Sequence, residues 1–204
     1  MADGNGVGRK AMICWLRYLM YAHGAGLVLG LLSFVPVLEG MCATVSWVVT
    51  LAVVVILFRL GNWESGYRRA AVYMALGFAI QLCNYSFSLL MMGQLTTPEL
   101  AVQLGVVSGM MMTGASVFSF LALYHMYGTH GRVAPQFAAD WRRLFLWTLI
   151  AGVSVSVVTA VCAALALSWL AALAALAYSL ATFAFETLRL VWLRNLVLAL
   201  SSEN

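Results

Sequence analysis

Four polar side chains lie within long apolar stretches of this sequence and are the residues best able to do chemistry. They are His23, Gln81, Asn84 and Glu186. A polar side chain at depth in hydrocarbon is expensive, so each should face a cavity or other helices. Gln81 and Asn84 are three residues apart, which puts them on one helical face. We therefore expect these four side chains to contact a small solute or ion.

A structural interpretation competes with this one, because polar groups on different helices can hydrogen-bond to one another. Each such bond is worth about 0.6 kcal/mol in a membrane. Serine and threonine need no partner at all, since their hydroxyls bond back to their own helix. This applies to the hydroxyl residues at similar depth, which are Thr113, Ser116, Ser154, Ser156, Thr159 and Thr182. The apolar stretch from Val49 to Phe58 contributes nothing to this layer, so its helix is expected at the periphery.

Glu186 precedes Arg189 by three residues, which places both on one face of a helix. One hypothesis is a local ion pair, with the arginine extending toward the membrane interface. The other is that Glu186 takes up and releases protons during transport. Burial and the nearby arginine would shift its proton affinity in opposite directions, so the sequence leaves both open.

No cofactor or metal site is expected. By residue count His23 lies about 18 Å and His125 about 5 Å from the same membrane face, so they cannot ligate one haem. His130 is assigned to a loop. Thioethers bind Cu(I), but the consecutive methionines 91–92 and 110–112 point around a helix and fill packing gaps instead. The four cysteines are dispersed in apolar segments and indicate neither a disulfide framework nor a zinc site.

Sequence motifs of the common enzyme classes are missing, and no catalytic residue is proposed. There is no Gly-x-Ser-x-Gly, His-Glu-x-x-His or phosphate-binding loop in the chain. The sequence therefore favours a non-enzymatic protein.

Composition indicates where these residues must sit. Of 204 residues, 64% are hydrophobic and only 9% are charged, against about 25% charged in a typical soluble domain. Such a chain cannot coat a water-soluble globule, which excludes an ordinary cytosolic enzyme, a disordered protein and a nucleic-acid-binding module. The sequence predicts an integral membrane protein, with the lipid bilayer as its first partner.

Apolar runs predict an all-α bundle of six transmembrane helices, with five as the alternative. Four runs are separate, and the block from 144 to 188 is long enough for two spans with a turn at Ser168 and Trp169. The four separate runs are 11–38, 42–58, 70–92 and 100–127. We expect one domain over residues 11–198, made of three hairpins, with short tails at 1–10 and 199–204.

Arginine and lysine cluster on one side of the predicted bundle. The connections and helix ends on that side carry Arg9, Lys10, Arg59, Arg68, Arg69, Arg132, Arg142, Arg143, Arg189 and Arg194, whereas the opposite connections carry Glu39 and Glu99. The positive-inside rule then predicts that both termini are cytoplasmic. Short loops and the lack of a cleavable signal peptide favour a prokaryotic plasma membrane. The pairs Arg68–Arg69 and Arg142–Arg143 are expected to bind anionic lipid headgroups or a partner protein.

Small residues four apart predict surfaces for close helix packing. The first span carries Ala22, Gly26 and Gly30, and the fourth carries Gly105 and Gly109. These surfaces either pack inside the bundle or face outward to form a homo-oligomer or bind a partner membrane protein. The segment from Thr129 to Asp140 is expected to be the longest cytoplasmic loop and a docking point.

The leading functional hypothesis is binding or passage of a small solute or ion at the mid-membrane polar layer, with the protein acting alone or as a transporter subunit. The alternative is a membrane-embedded sensor or assembly partner. In that case the basic loops and glycine surfaces would engage another protein, and the polar layer would be structural.

Overall fold

The chain folds into six long α-helices in a computed structural model that describes residues 4–91, 98–165 and 167–202. The helices are α1 (Gly4–Leu32), α2 (Glu39–Leu60), α3 (Ser65–Met91), α4 (Pro98–Val133), α5 (Ala138–Ala164) and α6 (Ser168–Ser202). All six are long and apolar enough to cross a membrane. The prediction of an all-helical architecture with six helices able to span a membrane is therefore confirmed for the described residues, and the composition of these helices supports the membrane protein class.

The six helices form a ring in chain order. Each helix packs against the next one along the chain, and α6 packs against α1, which closes the ring. Short connections make sequential helices antiparallel, so the start of every odd-numbered helix lies at the same end as the finish of every even-numbered one. We call this the basic end, because Arg59, Arg68, Arg69, Arg132, Arg142 and Arg143 lie there.

Proline sets the end of α1 earlier than the apolar run suggests. The run continues to Leu38, but the helix ends at Leu32. Val35 precedes Pro36 and is extended, with φ −90° and ψ 111°, because a residue before proline is disfavoured in the helical region. A short 3₁₀ turn, Pro36–Leu38, then leads directly into α2. At the other predicted turn, Ser168 and Trp169 are the first residues of α6, so the break after α5 comes just before the predicted position.

The expected loop from Thr129 to Asp140 is mostly helical, so that prediction is wrong. Helix α4 continues to Val133, a 3₁₀ turn spans Pro135–Phe137, and α5 begins at Ala138. Again a residue before proline breaks the helix, since Ala134 has φ −137° and ψ 86°. As a result His130 lies inside α4 and is fully buried. Helix α1 likewise extends back to Gly4, into the segment assigned to an N-terminal tail.

A hydrophobic core fills the ring at the basic end. Every helix contributes to it, including the fully buried Leu16, Leu19, Leu57, Leu60, Trp141, Leu193 and Leu196. The expected peripheral position of α2 is therefore wrong. Most of its side chains are apolar because they pack on the neighbouring helices α1 and α3 and into this core, not because they face lipid alone.

Close helix approach occurs at glycines other than those predicted. A Cβ atom at Gly66 in α3 would collide with Thr129 and Arg132 of α4, and one at Gly77 would lie 3.2 Å from the carbonyl oxygen of Ala115. At Gly26, Gly30, Gly105 and Gly109, by contrast, a Cβ atom would meet no neighbouring atom within 4 Å. Within the single chain, these four glycines make no close helix contact.

Candidate functional site

A cavity of about 650 Å³ lies between five of the six helices. It is lined by one face of each helix that borders it, as the helical spacing of the residues shows. The lining residues of α1 are His23, Gly26, Leu27 and Gly30, and those of α2 are Ser46, Val49, Thr50 and Val53. Helix α3 contributes Met74, Phe78 and Gln81, and α6 contributes Tyr178, Ser179, Thr182, Phe183 and Glu186. Helix α4 adds Ser119. Such a volume suits a small organic molecule.

The small residues of α1 help to create this space. Ala22, Gly26 and Gly30 all line the cavity, and nothing stands within 4 Å of where a Cβ on either glycine would be. A larger side chain at Gly26 or Gly30 would therefore project into open volume. The four-residue spacing of small residues on α1, which predicted close helix packing, belongs to the wall of a cavity instead. Gly105 and Gly109 are exposed on α4 and are not lining residues.

Charged groups lie where the cavity meets the packed core. Glu186 accepts a hydrogen bond from the Arg189 guanidinium at 2.7 Å, which confirms the predicted ion pair. His23 faces the same pair from α1, with its Nδ1 3.4 Å from Arg189 Nη1 and 3.9 Å from a Glu186 oxygen. Since a guanidinium only donates, His23 Nδ1 can act only as the acceptor in its contact with Arg189.

Arg189 does not extend toward the interface, contrary to expectation. Its side chain is only 7% exposed, and its Nε donates to the hydroxyl of Tyr127 at 2.5 Å. The guanidinium also lies over the Tyr127 ring, 5.4 Å from the centroid. The carboxylate of Glu186 and the hydroxyl and ring face of Tyr127 together compensate the buried positive charge of Arg189. Arg189 therefore belongs to the interior of the bundle.

Beyond Arg189, an aromatic cluster closes the bundle toward the basic end. The hydroxyl of Tyr67 hydrogen-bonds to His130 Nδ1 at 2.7 Å, and the His130 ring lies 4.6 Å from that of Trp141. Tyr127 packs on Trp141 at 5.1 Å, which links the cluster to the Arg189 contacts. Tyr67, His130 and Trp141 are fully buried. The cavity consequently ends against a packed layer and does not continue to the basic end.

Three of the four residues expected to contact a solute line the cavity, namely His23, Gln81 and Glu186. Asn84 is not among the lining residues. It lies half-buried about 60° around α3 from Gln81, and its Oδ1 is buried with no hydrogen bond to the described part of the chain. A three-residue spacing put both amides on one broad face, but only Gln81 continues the Met74 and Phe78 row.

The buried aromatic cluster is not predicted by the sequence reasoning. Tyr67 follows the pattern of an interfacial anchor, and His130 falls in the expected loop. The signal that could have identified the cluster is the pair Tyr127 and His130, three residues apart and so on one helical face. That pair is informative only once α4 is known to continue to Val133.

The hydroxyl residues behave largely as the structural interpretation predicts. Thr113, Ser116, Ser156, Thr159 and Thr182 each donate to a carbonyl four residues earlier on their own helix. Of these five, only Thr182 lines the cavity. Ser154 lies in a shallower groove between α5 and α6.

The predicted basic pairs lie on the surface of the basic end. Arg68, Arg69, Arg142 and Arg143 are all exposed, and Arg143 is 4.0 Å from Asp140. Among the residues that the structure describes, no group of three or more His, Cys, Asp and Glu is arranged to hold a metal ion.

Comparisons with protein-family models, with curated proteins and with solved structures find no match to this chain.

Proposed function

We propose that this protein is inserted in a prokaryotic plasma membrane with the basic end and both termini in the cytoplasm. The support is the arrangement of six long apolar helices with arginines concentrated at one end of the ring. Positively charged connections are retained on the cytoplasmic side of a membrane. Attaching a reporter that is active only in the cytoplasm to either terminus tests this orientation. Activity at both termini is expected, and activity at one alone contradicts it.

We propose that the protein binds, and passes, a small solute in the cavity between its helices. The observation that carries this function is a volume of about 650 Å³ with Glu186 and His23 at its inner limit and Gln81 on its wall. Binding pockets typically combine a few convergent polar groups with a largely apolar wall, as this one does. Helix packing alone gives no reason to retain so large a volume inside a bundle.

The cavity suggests the direction from which a solute enters. Its lining reaches Ser33 and Phe34, beyond the end of α1 that lies opposite the basic end. At the other limit, the buried side chains of Tyr127, His130 and Trp141 fill the ring. We infer that the structure corresponds to a state open away from the basic end, and that passage requires this aromatic layer to separate.

Native mass spectrometry of the protein in a mild detergent tests binding. We expect an adduct of small-molecule mass on the wild-type chain. The variant Gly26→Phe should lose it, because the new ring would occupy the cavity. Gly105→Phe is the matched control, since its side chain would also enter open space but outside the cavity. A bare wild-type chain, or an adduct that persists in Gly26→Phe, contradicts the proposal.

A second function is favoured by the outer surface of the molecule. Gly105 and Gly109 are exposed with open space around them, and the arginine pairs of α3 and α5 are exposed at the basic end. On this account the protein is a sensor or assembly subunit that engages a partner membrane protein or a second copy of itself. Charge reversal at Arg142 and Arg143 should then dissociate the complex in native gels, whereas Gly26→Phe should leave the complex intact.

A further inference from the structure

Most hydroxyl groups of the cavity wall share a property that defines what they can bind. Five of them donate their hydrogen to a backbone carbonyl three or four residues earlier in the chain, at 2.8 to 2.9 Å. They are Ser33, Thr50, Ser119, Ser179 and Thr182. A hydroxyl has one hydrogen to donate and two lone pairs. With the hydrogen engaged, each of these groups offers a ligand only acceptor oxygen atoms.

The carboxylate of Glu186 extends this acceptor surface. One of its oxygens receives the Arg189 hydrogen bond at 2.7 Å, whereas the other is 3.9 Å from His23 Nδ1. A carboxylate oxygen has lone pairs to spare after a single contact. Ser179, Thr182 and Glu186 follow one another at helical spacing, so they form a continuous acceptor row along α6 toward the inner limit of the cavity.

Few donors oppose these acceptors. The amide of Gln81 and the hydroxyls of Ser46 and Tyr178 can each donate or accept. His23 Nε2 is buried without a partner in the described chain. The guanidinium of Arg189, beside Glu186, is already engaged by Glu186 and Tyr127. None of the described residues that line the cavity is a lysine or arginine. An anionic ligand would therefore meet a carboxylate and several lone pairs without a free cation on the wall.

Apolar and aromatic side chains form the rest of the wall. Phe34, Phe78 and Phe183 stand around the same volume as Leu27 and Val53. Aromatic faces attract cations as well as apolar groups, and the attraction is strongest where water is excluded. The cavity thus combines a carboxylate, oriented oxygen lone pairs and aromatic rings.

We propose that the ligand is an amphipathic organic amine bound in its protonated form. Its ammonium group would donate to the free oxygen of Glu186 and to the hydroxyl oxygen of Thr182, which lies one helical turn away on α6. Its apolar body would lie against the phenylalanine rings. An ammonium has three donors and no acceptor, which complements a wall of acceptors. This inference deepens the proposed binding function and rests on it.

Isothermal titration calorimetry with three probes of matched shape tests the ligand class. The probes are 2-phenylethylammonium, 2-phenylethanol and 3-phenylpropionate, each titrated into purified protein in nanodiscs. We expect the ammonium to bind at least about ten-fold more tightly than the alcohol, which corresponds to about 1.4 kcal/mol. The carboxylate probe should not bind measurably, because the described lining residues offer it no free cation.

Two substitutions on α6 link this preference to the acceptor row. Thr182→Val keeps the shape of the side chain but removes its oxygen, so the affinity for the ammonium should fall several-fold while that for the alcohol changes little. Thr187→Val is the matched control, because Thr187 also donates to its own helix but does not line the cavity. Glu186→Gln should remove most of the difference between the ammonium and the alcohol.

The outcomes separate this inference from the proposal on which it rests. Equal binding of all three probes, abolished by Gly26→Phe, would overturn the amine assignment and leave the cavity as a binding site. Tight ammonium binding that survives both Thr182→Val and Gly26→Phe would place the amine site elsewhere and overturn the inference. If no probe binds but the protein still carries a small-molecule adduct in its cavity, the amine assignment is overturned and the binding function remains.

Discussion

At the scale of single residues, the molecule depends on one buried cation and the groups that compensate it. Arg189 is held by the carboxylate of Glu186, the hydroxyl and ring of Tyr127 and the imidazole of His23. These partners come from α6, α4 and α1. Because they belong to three helices, the arginine connects parts of the ring that a local salt bridge would not. The Glu186–Arg189 pair thus forms the inner limit of the cavity and also holds neighbouring helices together.

Removing the arginine alone should be strongly destabilising. Arg189→Met leaves the Glu186 carboxylate without its buried partner, a change that typically costs about 3–5 kcal/mol. The double variant Arg189→Met with Glu186→Gln should recover much of this loss, since no charge then remains unpaired. Unfolding of the detergent-solubilised variants measures both effects. Equal destabilisation in the single and double variants would show that the ion pair itself contributes little.

A second residue-scale prediction concerns the Tyr67–His130 hydrogen bond. Tyr67→Phe leaves both ring nitrogens of His130 without a partner, because Nε2 is already unpartnered among the described residues. A buried unsatisfied group costs about 1–3 kcal/mol, so a lower unfolding temperature is expected. Tyr85→Phe serves as the control, because Tyr85 is 49% exposed. Equal stability of the two variants would argue against a structural role for the Tyr67 hydroxyl.

At the scale of elements, the ring is tightest where α3 meets α4. Gly66 allows this approach near the start of α3, where Thr129 and Arg132 of α4 occupy the position of a side chain. Farther along the same pair, Gly77 lies against the backbone of Ala115. Two glycines therefore set the separation of these helices, and through it the position of the cluster around His130.

Substitution of these glycines should separate the two helices. Gly66→Ala forces Thr129 and Arg132 to move, and overpacking of this kind typically costs about 1–3 kcal/mol. Gly105→Ala on α4 meets nothing within 4 Å and should not lower stability. Thermal unfolding of both variants measures the difference. A Gly66→Ala protein as stable as the wild type would mean that the close approach is not important for the fold.

The same elements show how far the sequence determines the structure. Apolar length and charge position suffice for six helices, because hydrocarbon thickness and the positive-inside rule act on each segment separately. Which face of a helix meets which neighbour depends on the whole ring, so the roles of Gly26 and Gly66 could not be read from spacing. Polar type alone identified His23, Gln81 and Glu186 as residues of interest. The same reasoning wrongly placed Asn84 on the cavity wall, because a spacing of three residues from Gln81 does not show which of two adjacent faces of α3 borders the cavity.

At the scale of the whole molecule, the ring is packed at one end and contains a cavity toward the other. Leucines and aromatic residues fill the basic end, whereas Gly26, Gly30 and several hydroxyl residues surround the cavity. On the proposed function, this asymmetry leaves space for a solute at one end of the ring and closes the other end. We propose that solute reaches Glu186 from the side opposite the basic end.

Accessibility of a single cysteine to a membrane-impermeant thiol reagent tests this account most directly. The four native cysteines are first replaced, and Thr182→Cys is placed on the cavity wall. Ile150→Cys is the control, because Ile150 is 54% exposed near the middle of α5 and does not line the cavity. In oriented vesicles, Thr182→Cys should react from the side opposite the basic end, and Ile150→Cys should react from neither side. Protection of Thr182→Cys from both sides, or equal reaction of the two variants, would contradict a water-accessible cavity within the membrane.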